Sequence, residues 1–416
     1  MGATGKKGPK VLHLSTTARG GAGIAAFRLY EAQRARGHQV AFLSKTIAID
    51  FEGTELVDHS LSYKRPGPWK RAMIKINRLF TRNKVLSHIR DIQESTQAEM
   101  VSSPYGPKAM NTHPLVISAD IIHLHWVSGW IDYPSFFKEV RKPMVWTLHD
   151  ANPFMGLFHY PMDLEINRSL VNSLEDQVKE IKKGGMALSN QLTITAPSKW
   201  LLNQARESGQ FPKGSSFLCV PNSVDTNNFR PSKSTLRSRL GLTEEEEVVM
   251  YIAGSQNIRR KGLDLLLKAL ALLDRDISIL TIGKSDRPMD ATAANVINLG
   301  FITDAGQLVE AYNAADALIL PSLEDNLPNT MLESLACGTP VVAFDRGGMK
   351  EHLSDPDRGQ LVSDQTPEAL AIGIEKFMDR RRQLQVNKIR DYALKHFSPD
   401  VQVAAYKETY EELLKD

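Results

Sequence analysis

Cysteine is nearly absent: Cys219 and Cys337 are the 2 in 416 residues. Two sulfurs so far apart build no zinc or iron–sulfur framework, and their scarcity fits a reducing compartment. No run of about 18 apolar residues occurs, so no membrane-spanning helix is expected. Charge of one sign is not in excess. With 51 basic and 48 acidic residues the formal net charge is +3, which gives the whole chain no bias toward nucleic acid. Low-complexity segments and repeats of about 20–50 residues are missing too, which excludes solenoids. The first ten residues are small, glycine-rich and basic, without the apolar core of a signal peptide. They are expected to be a disordered leader on a cytoplasmic protein. What remains is ordinary globular usage, 42% hydrophobic and 24% charged. At roughly 100–200 residues per domain, two domains are expected.

Short apolar runs alternate with helical stretches. Strands are expected at 11–15, 39–44, 119–124, 144–148 and 192–196, with a helix at 23–36 ended by Gly37. Runs apolar throughout suit strands buried on both faces. The same grammar restarts after Pro231, with strands at 248–253, 277–282, 296–299, 317–320 and 340–344 and a helix at 263–273. The fold class is therefore α/β, two Rossmann-like doubly wound parallel-sheet domains facing a central cleft. Their expected limits are 11–225 and 226–395. A C-terminal helix is expected over 396–416.

In parallel sheets, ligands bind beyond the carboxyl ends of the strands. After the first strand come Gly20, Gly21 and Gly23, opening a helix. The pattern fits backbone amides approaching a phosphate, and equally a tight turn. His123 and His125 are two apart, on one strand face. A metal pair is conceivable, but no third ligand is adjacent, so no metal is expected. His149 and Asp150 end another strand. In the second domain, the turn carrying Arg259, Arg260, Lys261 and Gly262 suits a diphosphate or is a solvated basic loop. Asp325 and Glu333, eight apart, fall in a loop and about one turn into the following helix. They could accept from sugar hydroxyls or complement the helix dipole.

These motifs carry a resemblance. The stretch 321–353, with Asp325, Glu333 and then Ala336-Cys337-Gly338-Thr339-Pro340-Val341-Val342, resembles the acidic-motif region of retaining GT-B glycosyltransferases of family GT4. Ala196-Pro197-Ser198-Lys199-Trp200, Val220-Pro221-Asn222, Arg260-Lys261-Gly262, Gly300-Phe301 and Ala314-Ala315-Asp316 extend it in order. His123-Leu124-His125-Trp126 and Trp146-Thr147-Leu148-His149-Asp150 are similar to a subgroup of exopolysaccharide assembly, of the colanic-acid type.

The resemblance implies that the helix over 396–416 packs back on the first domain. It also implies a retaining, metal-independent transfer from a UDP-, GDP- or ADP-sugar, with no cofactor, to a glycan, lipid-linked or small-molecule acceptor in polysaccharide or glycoconjugate assembly. By it, Glu333 binds the ribose and Asp325 contacts the sugar. Lys261, with Arg259 or Arg260, holds the diphosphate. Gly20, Gly21 and Gly23 lie beneath the phosphates, and His149 touches the sugar near the reacting carbon. Gly300, Phe301 and Ile302 flank the base, and Asn326, Leu327 and Asn329 supply backbone contacts. The chain departs from the pattern at Asp325, usually Glu; at Ser255, often Arg; at Pro328, often Gly; and over 155–160, where the subgroup's cysteines are missing. The alternatives are another GT-B enzyme, such as an epimerase, or a non-catalytic sugar-nucleotide-binding protein.

One stretch stands outside this grammar. Between 64 and 84 lie Lys64, Arg65, Lys70, Arg71, Lys75, Arg78, Arg82 and Lys84, with no acid. Trp69, Met73, Ile76 and Phe80 recur at helical spacing opposite them. The stretch is either a core-packed surface helix or a peripheral contact with anionic lipid, at the inner face of the plasma membrane.

Overall fold

The computed structural model describes residues 8–56, 81–171, 173–285 and 295–415. Most of the expected leader, and the basic stretch up to residue 80, lie outside the described residues. From Thr81 the chain is helical to Ser95.

The chain divides into two compact units. The first comprises Met1–Pro197, Leu201–Val220 and Ala405–Asp416, and the second Ser198–Trp200 and Pro221–Ala404. The helix Pro399–Leu413 thus contributes to both.

The first unit is built on β1 (Val11–Leu14), β2 (Val40–Leu43), β3 (Ala48–Ile49), β4 (Ile121–Leu124), β5 (Met144–Thr147), β6 (Leu192–Ala196) and β7 (Ser216–Cys219). Their order is β3-β2-β1-β4-β5-β6-β7. All pairings are parallel except β2 with β3, which is antiparallel. β1, β2, β4, β5 and β6 are buried at every position, as covered parallel strands must be. Strand order reverses between β1 and β4, and at such a switch point a crevice opens beyond the carboxyl ends of the strands.

The second unit contains β8 (Glu247–Ser255), β9 (Ile277–Lys284), β10 (Asn295–Asn298), β11 (Ala317–Leu320), β12 (Val341–Phe344) and β13 (Gly359–Val362), in the order β10-β9-β8-β11-β12-β13. Every pairing is parallel. Successive residues of β8 feed opposite cores. Val248 and Met250 pack with Leu332 and Leu335 of the helix Asn329–Ala336, while Val249 and Tyr251 pack with Leu266 and Leu270 of the helix Leu263–Leu270. Each fully buried aliphatic side chain contributes about 1.5–3 kcal/mol. Asp316, just before β11, accepts from Val248 N at 2.8 Å and pairs with Arg237 at 3.2 Å. Its part in the Ala314-Ala315-Asp316 motif is to tie β8 to β11.

Several expected boundaries shift. The first helix runs Gly20–Ala35, three residues earlier than expected, so Gly20 and Gly21 join Gly23 in its opening turn. The helix expected to reach 273 ends at Leu270. β3, β7 and β13 have no counterpart among the expected strands.

Candidate functional site

In the second unit, strand order reverses between β8 and β11. Arg259–Lys261 form a single tight turn after β8, ended by Gly262 at φ 72°. A Cβ on Gly262 would stand 1.9 Å from the Pro321 carbonyl oxygen. Glycine alone therefore lets the basic turn lie against the end of β11. Lys261 Nζ donates to Asp325 Oδ2 at 2.5 Å, and Arg260 Nη1 lies 3.6 Å from the same oxygen. Arg260 is buried and also donates to the Glu324 carbonyl at 2.8 Å, whereas Arg259 is exposed.

Asp325 is 13% exposed. Burial by itself would raise its pKa, but the charges of Lys261 and Arg260, with hydrogen bonds from Lys261 and the Asn326 amide, hold it below the usual carboxylate value. The loop under it is equally tight. Gly347 has φ 62°, and a Cβ there would meet the Asp325 carbonyl oxygen at 1.6 Å. Gly348 N donates to the Asn326 carbonyl at 2.7 Å, and Ser198 Oγ donates to Asn326 Oδ1 at 2.6 Å. Leu327 is buried, and Asn329 opens the helix Asn329–Ala336, where it accepts from Asn222 Nδ2 at 3.4 Å.

Glu333 lies one turn into that helix, 5% exposed, and accepts from Tyr312 Oη at 2.9 Å. The two acids thus have different partners: cations for Asp325, a phenol for Glu333. Gly300 follows β10, and its carbonyl accepts from Gly283 N at 2.9 Å. Phe301 is 53% exposed, with Lys284 Nζ 5.0 Å from its ring centroid, and Ile302 packs against the core. Ser198 lies in the 196–200 motif without an assigned role there, and sequence reasoning gives no role to Tyr312, Gly347, Gly348 or Gln256. The buried Gln256 amide has no hydrogen-bond partner among the described residues.

In the first unit, Arg19 precedes Gly20 in extended backbone and makes no side-chain cap. Histidines gather beside this helix. His13 and His123 are register partners on β1 and β4. His123 and His125 stack with centroids 4.2 Å apart, and His149 Nε2 lies 3.3 Å from His125 Nδ1. Burial lowers the His13 and His149 pKa values to about 4, against weaker opposing effects of Gln33 and Asp150 respectively. Burial also drives His123 and His125 well below 6.5, helped by neighbouring imidazoles.

Ligand atoms of His13, His123 and His125 all lie within 4.8 Å of one another. This corrects the reading that no third ligand is near: His13 arrives from β1. All six ring nitrogens already face protein partners. His13 meets His125 and Gln33, His123 meets Tyr410 and Thr147, and His125 meets His13 and His149.

A second cluster surrounds Asp150. Its Oδ2 is 2.6 Å from His159 Nδ1 and accepts from Trp126 Nε1 at 2.9 Å, while His159 Nε2 lies 2.7 Å from Ser102 Oγ. Burial would raise the Asp150 pKa, but His159 and these hydrogen bonds keep it low. The loop 152–157 is held by Glu175, which accepts from the Gly156 and Leu157 amides at 2.6 Å each, and by buried Lys182, which donates to Asn152 and Met155 carbonyls. A cavity of about 10 Å³, the size of one water, is lined by His125, Trp126, Ser128, His149, Asp150 and Asn152 among others.

Residues 246–380 match the family described as Glycosyl transferases group 1. Among curated proteins, the chain is similar to D-inositol 3-phosphate glycosyltransferases. That of Segniliparus rotundus is 34% identical over 36% of each chain, and that of Geodermatophilus obscurus 31% over 47% of this chain and 48% of that one. That of Thermobispora bispora is 27% identical over 71% of each. The match thus spans less than half the length of the first two relatives. Sucrose-phosphate synthase from Thermosynechococcus elongatus aligns with TM-score 0.68 and 18% identity over 98% of this chain and 100% of that one. HepE from Anabaena, in complex with UDP-glucose, aligns with TM-score 0.60 and 16% identity over 97% and 100%. The two units have the GT-B fold of these solved structures, and the stretch that matches group 1 glycosyltransferases lies in the second.

Proposed function

We propose that the protein transfers a sugar from a nucleotide-diphosphate sugar to an acceptor hydroxyl. The observation that carries this reading is the convergence of Lys261 and Arg260 on one oxygen of Asp325, inside the stretch that matches group 1 glycosyltransferases. Fixed cations beyond strand ends are what a departing diphosphate requires. When donor binds, Lys261 turns from Asp325 to the phosphates, and Asp325 is released to accept from a sugar hydroxyl. Glu333, held by Tyr312, accepts from the ribose. Phe301 and Ile302 flank the base, and His149 acts in the transfer step. Anomeric retention and charge stabilisation without a metal belong to the proposal.

HepE holds UDP-glucose in its solved complex, which favours a UDP-sugar as donor. The curated relatives favour a phosphorylated cyclitol as acceptor. The strand-end histidine motifs favour the exopolysaccharide type instead, with a lipid-linked acceptor on the cytoplasmic face. In that case the 64–84 stretch would hold the chain on anionic lipid, each cation contributing about 1 kcal/mol.

Purified protein incubated with UDP-, GDP- and ADP-sugars, with and without inositol phosphate or lipid-linked acceptors, tests the reading. Free nucleotide together with glycosylated acceptor supports it. An epimerised donor, or tight donor binding without turnover on any acceptor, replaces it. Co-sedimentation with anionic vesicles at low salt tests the membrane contact. Failure to bind would assign the stretch to ordinary surface packing.

A further inference from the structure

Gln33 lies on the helix Gly20–Ala35, buried beneath the histidines. Its amide faces two partners with opposite demands. Nε2 donates to Tyr410 Oη at 3.3 Å, while Oε1 lies 2.8 Å from His13 Nε2. A carbonyl oxygen only accepts, so His13 carries its proton on Nε2. His13 is neutral near pH 7, with its pKa lowered to about 4 by burial, so its Nδ1 accepts. His125 Nε2, 3.0 Å away, must then donate. His125 is neutral as well, so its Nδ1 accepts in turn, and His149 Nε2 at 3.3 Å donates. One constraint passes through two rings and reaches His149 as a fixed tautomer, with the proton on Nε2 and the lone pair on Nδ1.

The other arm agrees. Burial keeps Tyr410 a phenol. Having accepted from Gln33, it gives its single proton to His123 Nδ1 at 2.6 Å, and His123 Nε2 donates to Thr147 Oγ1 at 2.7 Å. Turning the Gln33 amide over would reverse every donor along both arms.

We propose that Gln33 is a positioning residue for sugar transfer: through His13 and His125 it holds His149 as the tautomer whose Nδ1 accepts from a hydroxyl of the donor sugar. The proposal rests on the glycosyltransferase reading above. A hydroxyl that donates to His149 keeps more electron density on its oxygen. That favours the electron-poor anomeric carbon formed as the diphosphate departs.

Long-range proton–nitrogen correlation on histidine-labelled protein reads each ring's tautomer without any substrate, with the His149 signal identified by its loss in His149→Ala. The wild type should show His13, His125 and His149 all protonated on Nε2. Gln33→Leu should release that order, giving a mixed His149 tautomer. In the transfer assay, Gln33→Leu should lower kcat at least about tenfold with donor KM within about twofold. A wild-type His149 protonated on Nδ1 overturns the proposal, and this holds even if Gln33→Leu does not fold. So does a tautomer unmoved in folded Gln33→Leu, or a tautomer that moves with kcat unchanged. Zinc that shifts all three ring signals at stoichiometric amounts overturns it in favour of a metal centre. Tautomers as expected with a silent donor screen fail the activity reading and leave the relay standing.

Discussion

His13 and His123 occupy paired positions on neighbouring parallel strands, with ring centroids 5.0 Å apart, although 110 residues separate them in the chain. Two imidazoles so placed, with His125 stacked beyond, can stay buried only while uncharged.

Acid should therefore loosen the first unit. The folded-state pKa of His13 is lowered to about 4, and those of His123 and His125 lie well below 6.5. An unfolded chain restores ordinary values, so it binds more protons than the folded one between those limits. Stability is then full above about pH 6.5 and falls as pH drops toward 4, by roughly 1 kcal/mol per pH unit for each histidine. Tryptophan fluorescence during thermal unfolding reports this unit through buried Trp130 and Trp146. A midpoint that stays flat across the window would refute the account.

Lys261→Ala leaves Asp325 with Arg260, at 3.6 Å, and the Asn326 amide. Transfer efficiency should fall about 100-fold or more through lost stabilisation of the leaving diphosphate. The melting temperature should move only a few degrees. Parallel losses in both would make Lys261 a structural lysine.

Glu333→Ala should weaken nucleotide binding by roughly 1.5–3 kcal/mol, the worth of a hydrogen bond to a charged group. Tyr312→Phe removes the 2.9 Å hydrogen bond while leaving the carboxylate in place. It should cost stability and spare most of the affinity. Calorimetric titration with free UDP separates the two, and equal affinity of Glu333→Ala and wild type would remove Glu333 from the site.

Gly347→Ala should disturb the Asp325 loop without touching any acid or cation. The new Cβ would meet the Asp325 carbonyl oxygen at 1.6 Å in a backbone of φ 62°. The strain is of order 1–3 kcal/mol or more. Donor affinity should drop along with the melting temperature. Wild-type donor binding in this variant would show that the loop can shift without consequence.

Strands of the two sheets were legible where both faces are covered, because Val-Ala-Phe-Leu or Ala-Leu-Ile-Leu leaves no polar position to confuse the pattern. β7 was not, since Ser216-Phe217-Leu218-Cys219 alternates between exposed and half-buried at a sheet edge and is too short for a period to show. The start of the first helix was hidden by Gly20-Gly21, which reads as a loop until the backbone is seen to coil there. Lys261 and Asp325 stood out because charge at strand ends is unusual, and their 2.5 Å contact joins two motifs 64 residues apart. Gln33 and His13 gave no such signal. A glutamine within a helix and a histidine within a strand look like surface and core, and only the β1–β4 register brings His13 to His123. Gly347 looks like any turn glycine until the carbonyl of Asp325 is placed against it.

The helix Pro399–Leu413 gives the order of synthesis a structural meaning. Tyr406 Oη lies 2.7 Å from Thr147 Oγ1 and 3.2 Å from Thr195 Oγ1, and Tyr410 meets Gln33 and His123. These partners leave the ribosome long before the tyrosines do, because the whole second unit is translated in between. Until residues 405–413 emerge, the nascent first unit holds a row of buried hydroxyl, amide and imidazole groups with no phenol to join. Its sheet can assemble early, but the polar seam along β4, β5 and β6 closes only once Tyr406 and Tyr410 join it. A ribosome stalled before Ala405 should therefore display a first unit that proteases cut readily, whereas a released chain that includes residues 405–413 should be protected.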